Sequence, residues 1–568
     1  MLAYVDITQY KHFTGVCEIN IKTETSVMTT TPWWRGAVVY QVYPRSLMDA
    51  NNDGIGDIPG IISKLDYIAS LGVDAIWVSP FFKSPMKDFG YDISDYRDID
   101  PIFGTLADFD ELIAKAHERN IKIIIDQVLS HTSDQHAWFT ESRESRDNPK
   151  ADWYVWADPL PDGTPPNNWL AIFGGSAWEW EPRRCQYYLH NFLKTQPDLN
   201  YHCDAVREQI LQEVEFWLKR GVDGLRLDAI IFCFHDKLLR SNPAKPEAER
   251  RGRGFREDNP YAFQRHVYDC DRPENLQFLE SLRTLMDRYP GTVTLGEIAS
   301  EDSLKTMAEY TAGNSRLHMA YSFELLVDTL SGSYIRETVE TLEQNLAEGW
   351  PCWAIGNHDV VRFMSRWGGK EQSPQLAKTL NAMLFSLRGS VCSYQGEELG
   401  LIEAPIQQHE LQDPYGITFW PRFKGRDGCR TPMPWNHTET YAGFSQVKTW
   451  LPVPSAHKEQ AVSLQESDPA SILNAYRQFM NWRKGQPALR LGDIQFIADG
   501  VNYLVFTRSY GDDTLLCAFN FSAQENLIHL DAAYQLNAIE GHGCTTLAGQ
   551  YERLPVPAYG TVIARLAK

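Results

Sequence analysis

Four carboxylates close short apolar runs along the chain: Asp126 in IKIIIDQV, Asp228 in VDGLRLD, Glu297 in TVTLGEI and Asp359 in CWAIGNHD. His131 and His358 lie beside two of these ends, and Arg226 precedes Asp228 by two residues. If the runs are strands converging at their C-terminal ends, Asp228, Glu297 and Asp359 meet in one cleft. Three converging carboxylates suit glycoside hydrolysis. One attacks the anomeric carbon, a second gives its proton to the leaving oxygen, and about 5 Å separates them in the retaining mechanism. The third would stabilise positive charge on the sugar ring. Arg226, on the same strand face as Asp228, would keep that Asp ionised. The chain carries 74 acidic residues, so several fall at strand ends by chance, and spacing alone leaves both readings open.

The elements that would position these groups follow one rhythm from Trp33 onward. Short β-branched runs at 38–43, 73–80, 121–128, 222–228, 292–298, 318–325, 352–359 and 390–396 alternate with helical patterns such as DFDELIAKAHERN and AVREQILQEVEFWLKRG. Each switch from a 3.6-residue period to a short apolar run marks a βα unit. Eight such strands predict a (β/α)8 TIM barrel, in which strand C-termini line the catalytic mouth. Residues 129–200, rich in Pro, Asn and Trp, predict a small insert domain after strand three, because a structureless loop of that length is implausible. The Arg-, Asp- and Pro-rich segment 235–272 reads as a mobile polar loop after strand four. From about 490 the pattern becomes strand-only with Asp-Gly and Gly-Asp turns, predicting a C-terminal antiparallel β-sandwich. The expected division is therefore an N-terminal extension (1–32), the barrel (33–128 and 201–485), the insert (129–200) and the sandwich (486–568).

Composition narrows the partners. Over 568 residues, 43% hydrophobic and 23% charged content is that of a globular protein with a large core. A formal net charge of −20 disfavours nucleic acid and anionic membrane surfaces. The 17 Trp and 26 Tyr suit sugar faces without proving anything. Ten scattered cysteines without a CxxC fit reduced, mostly buried thiols. No apolar run approaches the roughly 20 residues of a membrane span. Residues 1–27 do not read as a secretory signal, and Met28 opens a plausible start of its own. That stretch is expected to be a disordered or spurious extension, and the protein cytoplasmic, as a monomer or homodimer.

The local sequences weigh against coincidence. GLRLDAI, GEI and IGNHD resemble three signature segments of the α-amylase family of glycoside hydrolases, and DQVLSH resembles a fourth. QVYPRS, GVDAIWVSPFFKSP, GYDISDY, NPKADWYVW, PPNNW and RTPMPW resemble its α-glucosidase and oligo-1,6-glucosidase branch. The resemblance runs from about residue 33 to the end and implies a role for each matching position. Asp228 would be the nucleophile, Glu297 the general acid and then base, and Asp359, assisted by His358, would bind the 2- and 3-hydroxyls. Arg226 would orient the nucleophile and His131 would donate to the 6-hydroxyl. Asp92, in GYDISDY, would pair with Arg426, with Arg430 as the alternative, gripping the 4- and 6-hydroxyls and closing the pocket for exo action. Phe173 and Tyr91 are candidate pocket walls, with ordinary aromatic packing an equal alternative.

Two departures carry information. In this branch Val after the nucleophile goes with α-1,6 preference and Ala or Thr with α-1,4. Here it is Ala229, worth about 1–2 kcal/mol of preference toward maltose over isomaltose. The family's calcium-binding Asn before His131 is Ser130 here. Instead DANNDGIGD offers oxygens at Asp49, Asn51, Asp53, the Ile55 carbonyl and Asp57, a pattern suited to structural Ca²⁺ or Mg²⁺, with an Asx-turn free of metal as the alternative. The expectation is a retaining exo-α-glucosidase acting on maltose-like glucosides, with sucrose and aryl or alkyl glucosides as further donors and alcohols or sugars as acceptors. Its nearest rival is an α-glucosyltransferase or sucrose-converting enzyme. A non-enzymatic, transporter-associated relative is disfavoured by the complete carboxylate set.

Overall fold

The computed structural model describes residues 31–250, 258–369 and 371–567. The expected extension over 1–27 lies outside the described residues. Eight parallel strands form the central sheet: β1 (Val38–Val42), β2 (Ala75–Val78), β3 (Lys122–Val128), β4 (Gly224–Asp228), β5 (Val293–Ile298), β6 (Met319–Ser322), β7 (Cys352–Trp353) and β8 (Ser390–Tyr394). β1 pairs with both β2 and β8, and a parallel bridge from Ala320 to Pro351 joins β6 to β7, so the sheet closes into a barrel.

These strands are near-continuous apolar runs because both faces are buried. Their alternate residues divide between two layers. Val39, Ala75, Trp77, Ile124, Leu295 and Met319 fill the barrel interior. Val38, Ile76, Ile123, Ile125, Leu225 and Leu227 join the core beneath the surrounding helices. Each such side chain contributes about 1.5–3 kcal/mol by leaving water. The helices are set by local chemistry. Asp57 caps α1 (Ile58–Ser63), accepting from the Gly60 N–H, and Pro59 begins that helix without a lost donor. α2 (Leu65–Ser70) follows directly. Thr105 and Asp108 form a capping box on α3 (Leu106–Glu118), which buries Phe109, Leu112, Ile113 and Ala116 as one stripe. α4 (Asp204–Lys219) buries Val206, Ile210, Val214 and Trp217 at the same spacing.

The expected strand at 352–359 is shorter in the structure. Only Cys352 and Trp353 pair with β8. Asn357 then turns the chain by accepting from the N–H groups of Asp359 and Val360, so Asp359 leaves the barrel on a loop. The 318–325 run likewise ends as a strand at Ser322, whose side chain caps the single turn Phe323–Leu325.

Between β3 and β4 lies the insert, with a three-stranded antiparallel sheet of Trp156–Ala157, Gln186–Leu189 and Trp178–Glu181 around buried Trp169 and Trp178. The segment after β4 does not hang free where it is described. Asn168 exchanges hydrogen bonds with Asn242, while Asn167 and Trp169 donate to the carbonyls of Leu239 and Arg240. The asparagines of PPNNW thus pin the expected mobile loop to the insert; its residues 251–257 lie outside the described set.

Six antiparallel strands complete the chain: β9 (Asp493–Gly500), β10 (Tyr503–Tyr510), β11 (Asp513–Asn520), β12 (Asn526–Ala538), β13 (Gly549–Val556) and β14 (Thr561–Leu566). Hydrogen bonding joins them in the order β9-β10-β11-β14-β12-β13 into one curled sheet over Val505, Leu516, Ile528, Leu554 and Val562. The sequence pattern missed β13, where Pro555 and charged residues interrupt the apolar alternation. Among the described residues no helix is long and apolar enough to cross a membrane.

Candidate active site

Register sets the site. On the β3–β4 ladder Asp126 pairs with Arg226 and Val128 with Asp228; on β5–β6, Glu297 pairs with Tyr321. These neighbours bring four side chains onto one guanidinium. Arg226 Nη1 lies 2.9 Å from Asp126 Oδ1 and 2.6 Å from Asp228 Oδ1, while Nη2 lies 2.5 Å from Glu297 Oε1 and 2.8 Å from the Tyr321 hydroxyl. Arg226 is fully buried and stacks over Trp77 at 4.6 Å. Its charge offsets the burial of three carboxylates that could not otherwise stay together.

The residue after Asp228 matters through its backbone. Ala229 is left-handed (φ 43°, ψ 38°), a conformation costing roughly 1–2 kcal/mol for a residue with a side chain. That turn aims its N–H at Glu297 Oε2, 3.1 Å away. Glu297 is therefore held at both oxygens.

Burial pushes the Glu297 carboxyl up to about 7, against Arg226 and with the Asp228 and Asp359 charges adding to the rise. Burial also raises Asp228, which Arg226 draws back toward ionisation. Asp359 goes the other way. Burial alone would raise it, but the Arg426 and Arg430 guanidiniums outweigh that and hold it below the usual carboxylate range. Arg426 Nη1 and Arg430 Nη2 reach Asp359 Oδ1 at 3.1 and 2.9 Å.

His358 is buried and its pKa depressed, chiefly by desolvation, so it is neutral. Gln41 Nε2 donates to its Nδ1 at 2.7 Å, which leaves the proton on Nε2, 2.6 Å from the Tyr91 hydroxyl and 3.3 Å from Asp359 Oδ2. Tyr91 in turn donates to Asp126 Oδ2 at 3.1 Å. His131 lines the same cavity with its Nε2 at 3.0 Å from the Tyr91 carbonyl, and burial lowers its pKa to about 4. Phe173 is also at the cavity wall, its ring 5.0 Å beneath the Arg426 guanidinium.

One expected pair is not formed. Arg426 Nη2 binds Asp88 Oδ1 at 2.7 Å and Asp413 Oδ1 at 2.8 Å, and Asp92 is not its partner. The cause is the turn between the two acids, where Phe89 (φ 51°) and Gly90 (φ 107°) are both left-handed. The chain doubles back, and Asp92 accepts from the N–H groups of Lys87 and Asp88 and from Ser84 Oγ. Asp92 holds the turn, and Asp88 enters the cavity. Asp413, Tyr321 and Asn259 also belong to the site without having been expected from the sequence. Asn259 Nδ2 donates to the Ile172 carbonyl and the Tyr415 hydroxyl, joining the segment after β4 to the insert and to the helix Pro414–Phe419. None stands in a recognisable segment; only Tyr321, opposite Glu297 on the next strand, was within reach of a register argument.

The cavity lining mixes two kinds of side chain. Asp88, His131, Asp228, Glu297, Asp359 and Arg426 supply its polar groups. Ile231, Phe232, Ala299 and Phe323 supply apolar surface, and Phe173 packs against Tyr415 at 5.1 Å in the same lining.

The loop expected to hold a cation uses its oxygens locally. Asp49 accepts from the N–H groups of Asn52 and Gly54, Asp53 from Ile55, Asn51 from Asp53, and Asp57 from Ala50, Asn51 and Gly60. Among the described residues no group of three or more His, Cys, Asp or Glu side chains is arranged to hold a metal ion.

Residues 41–492 match the family "Alpha amylase, catalytic domain". A probable α-glucosidase of Rhizobium meliloti is 54% identical over 94% of this chain and 97% of its own. An oligo-1,6-glucosidase of Heyndrickxia coagulans is 38% identical over 92% and 98%. Among solved structures, an α-glucosyl transfer enzyme superposes with a TM-score of 0.93 at 60% identity, covering 95% of this chain and 100% of that one. An isomaltulose synthase mutant of Erwinia rhapontici, in complex with sucrose, gives 0.85 at 32%, covering 94% and 99%.

Proposed function

The chain belongs to the α-amylase family, and from that premise we propose that it is a retaining exo-α-glucosidase cleaving terminal α-1,4-linked glucose from maltose-like glucosides through a covalent β-glucosyl-enzyme. The observation that carries this is the Arg226 guanidinium, which holds Asp228 on one terminal nitrogen and Glu297 on the other. A span of that width suits the roughly 5 Å of a retaining pair rather than the wider gap that admits a water between them.

Asp228 Oδ attacks the anomeric carbon as the bond from that carbon to the leaving oxygen breaks, and Glu297 gives its proton to that oxygen. Water then enters, Glu297 takes its proton, and the ester to Asp228 breaks with release of α-glucose. The raised Glu297 pKa suits it to both roles near neutrality. The Asp88–Arg426 pair closes the pocket behind the terminal glucose, which supports exo action. His131 and Asp359 offer further partners for the ring hydroxyls. The methyl of Ala229, beside the leaving group, supports α-1,4 over α-1,6 links.

The apolar part of the cavity lining supports a second activity on the same intermediate. An alcohol with an alkyl or aryl body, or a sugar, replaces water there and becomes glucosylated; sucrose can serve as donor. An acceptor's apolar body loses nothing by desolvation at such a wall, whereas water gains no hydrogen-bond partner from it. We place the protein in the cytoplasm as a monomer or homodimer. The nine described cysteines are all unpaired, in keeping with a reducing compartment. A structural Ca²⁺ or Mg²⁺ at residues 49–57 is part of the proposal on its oxygen pattern alone, and no chemical step passes through it.

Incubation with maltose, isomaltose and sucrose, followed by NMR of product anomers, tests the reading. Rapid release of α-glucose from maltose, faster than from isomaltose and abolished in Asp228→Asn, is the expected result. β-Glucose as first product would end the retaining assignment. A glucosylated acceptor in excess of free glucose would move the protein to the transferase reading.

A further inference from the structure

Glu297 has two carboxyl oxygens, and only one can carry the proton that the leaving group receives. Oε2 has one neighbour, the Ala229 N–H at 3.1 Å. Oε1 has two, Arg226 Nη2 at 2.5 Å and the Tyr321 hydroxyl at 3.1 Å. Arg226 has protons only to give. The Tyr321 oxygen accepts from Arg226 Nη2 at 2.8 Å, so its own proton points onward to Glu297. An oxygen that accepts a hydrogen bond from Tyr321 and also faces the Arg226 charge at 2.5 Å is the less basic of the pair.

We infer that Tyr321 is a positioning residue for the acid–base step: its hydrogen bond, beside the Arg226 charge, disfavours a proton on Glu297 Oε1, leaves the transferable proton on Oε2 and fixes the carboxyl plane toward the leaving oxygen. Tyr321 is fully buried on β6, directly across the ladder from Glu297, with its ring among Trp77, Leu295 and Met319 of the barrel interior. The hydroxyl is thereby fixed by packing that Phe would preserve. The inference rests on Glu297 being the general acid.

In the step concerned, Asp228 Oδ forms its bond to the anomeric carbon while the bond from that carbon to the leaving oxygen breaks. The proton on Glu297 Oε2 passes to that oxygen, and the electron pair left on Oε2 makes Glu297 a carboxylate. Tyr321 exchanges no proton; it then donates to the charged group. The charged and titratable groups facing Glu297 are Arg226 and Asp228 from β4, Asp126 from β3 through the shared guanidinium, Asp359 from the loop after β7, and Tyr321 itself from β6. Losing the Tyr321 donor destabilises the ionised form of Glu297, so the alkaline limb of activity moves upward.

Tyr321→Phe, assayed on maltose and on α-glucosyl fluoride in the same preparation, tests this. Fluoride leaves without a proton, whereas the alcohol oxygen of maltose needs one. The expected result is a loss of kcat/KM of about tenfold or more on maltose, corresponding to about 1.4 kcal/mol, with a much smaller loss on the fluoride. The alkaline limb on maltose should also rise. The ratio of the two substrates does not depend on how much of the variant is folded. In a Glu297→Gln background, the same substitution should leave the ratio unchanged. Equal losses on both substrates with an unmoved pH profile, or no loss on either, overturn the inference. If the wild type turns over neither substrate, the α-glucosidase reading fails instead.

Discussion

Two groups of carboxylates do different work in this chain. In the 49–57 loop, Asp49, Asp53 and Asp57 face backbone N–H groups two to seven residues away. At the mouth, Asp126, Asp228 and Glu297 face Arg226, and Asp88, Asp359 and Asp413 face Arg426, which is 338 residues from Asp88 in sequence. Backbone N–H partners hold a turn. Cationic side-chain partners, whether two residues away as for Asp228 or 338 as for Asp88, hold carboxylates against each other in a buried cavity, where each can be ionised or protonated as chemistry needs. Asp88 and Asp92 are the sharpest form of this difference, being four residues apart with one of each kind.

That pair gives the largest expected effect. Asp88→Asn should lower kcat/KM on maltose about 10- to 100-fold, the loss of a charged hydrogen bond worth about 1.5–3 kcal/mol, with little change in thermal midpoint. Asp92→Asn should leave kcat/KM of the folded protein within about threefold while lowering stability by about 1–3 kcal/mol, because Lys87 and Asp88 lose a charged acceptor. Steady-state kinetics beside thermal unfolding separate the two. The opposite pattern would return Asp92 to the sugar-binding role that its motif implied.

The same contrast explains what could be read in the sequence. The barrel strands are runs buried on both faces, so their apolar signal is strong, and the groups at the ends of β3, β4 and β5 followed from it. Asp359 was found although its supposed strand ends six residues earlier, because IGNHD marks it by type rather than by element. Asp88 was missed because a turn is decided by backbone torsions, and Phe89 in a left-handed conformation leaves no trace in composition. Tyr261 and Asn259 were missed because they come from a polar segment whose fold depends on the insert it packs against. β13 was missed because only Leu554 and Val556 of its length are buried.

Protonation offers a smaller effect with a definite sign. Glu297 is raised by burial to about 7, so it keeps its proton up to neutrality and loses it above. kcat/KM on maltose should therefore fall about tenfold per pH unit on the alkaline side beyond about 7. Asp228 must be ionised to attack, and burial raises it too, so the acid limb should lie above the ordinary carboxylate range. A pH–rate profile on maltose checks both limbs. An alkaline limb near pH 5 would mean that Glu297 is not the acid.

The smallest effect belongs to the loop, where activity should not move at all. If its oxygens bind Ca²⁺ or Mg²⁺, the ion at tenfold above its Kd should stabilise the protein by about 1.4 kcal/mol, and chelation should remove that gain. Asp53→Ala should abolish the response without disturbing the α1 cap, since Gly60 is held by Asp57. Asp57→Ala should cost about 1 kcal/mol with or without metal, as the loss of an N-cap does. Unfolding followed with added Ca²⁺, with Mg²⁺ and with chelator reads all three. A midpoint indifferent to every ion would leave the loop as an Asx-turn closed by its own backbone, and the contrast with the mouth complete: backbone partners for shape, cationic ones for chemistry.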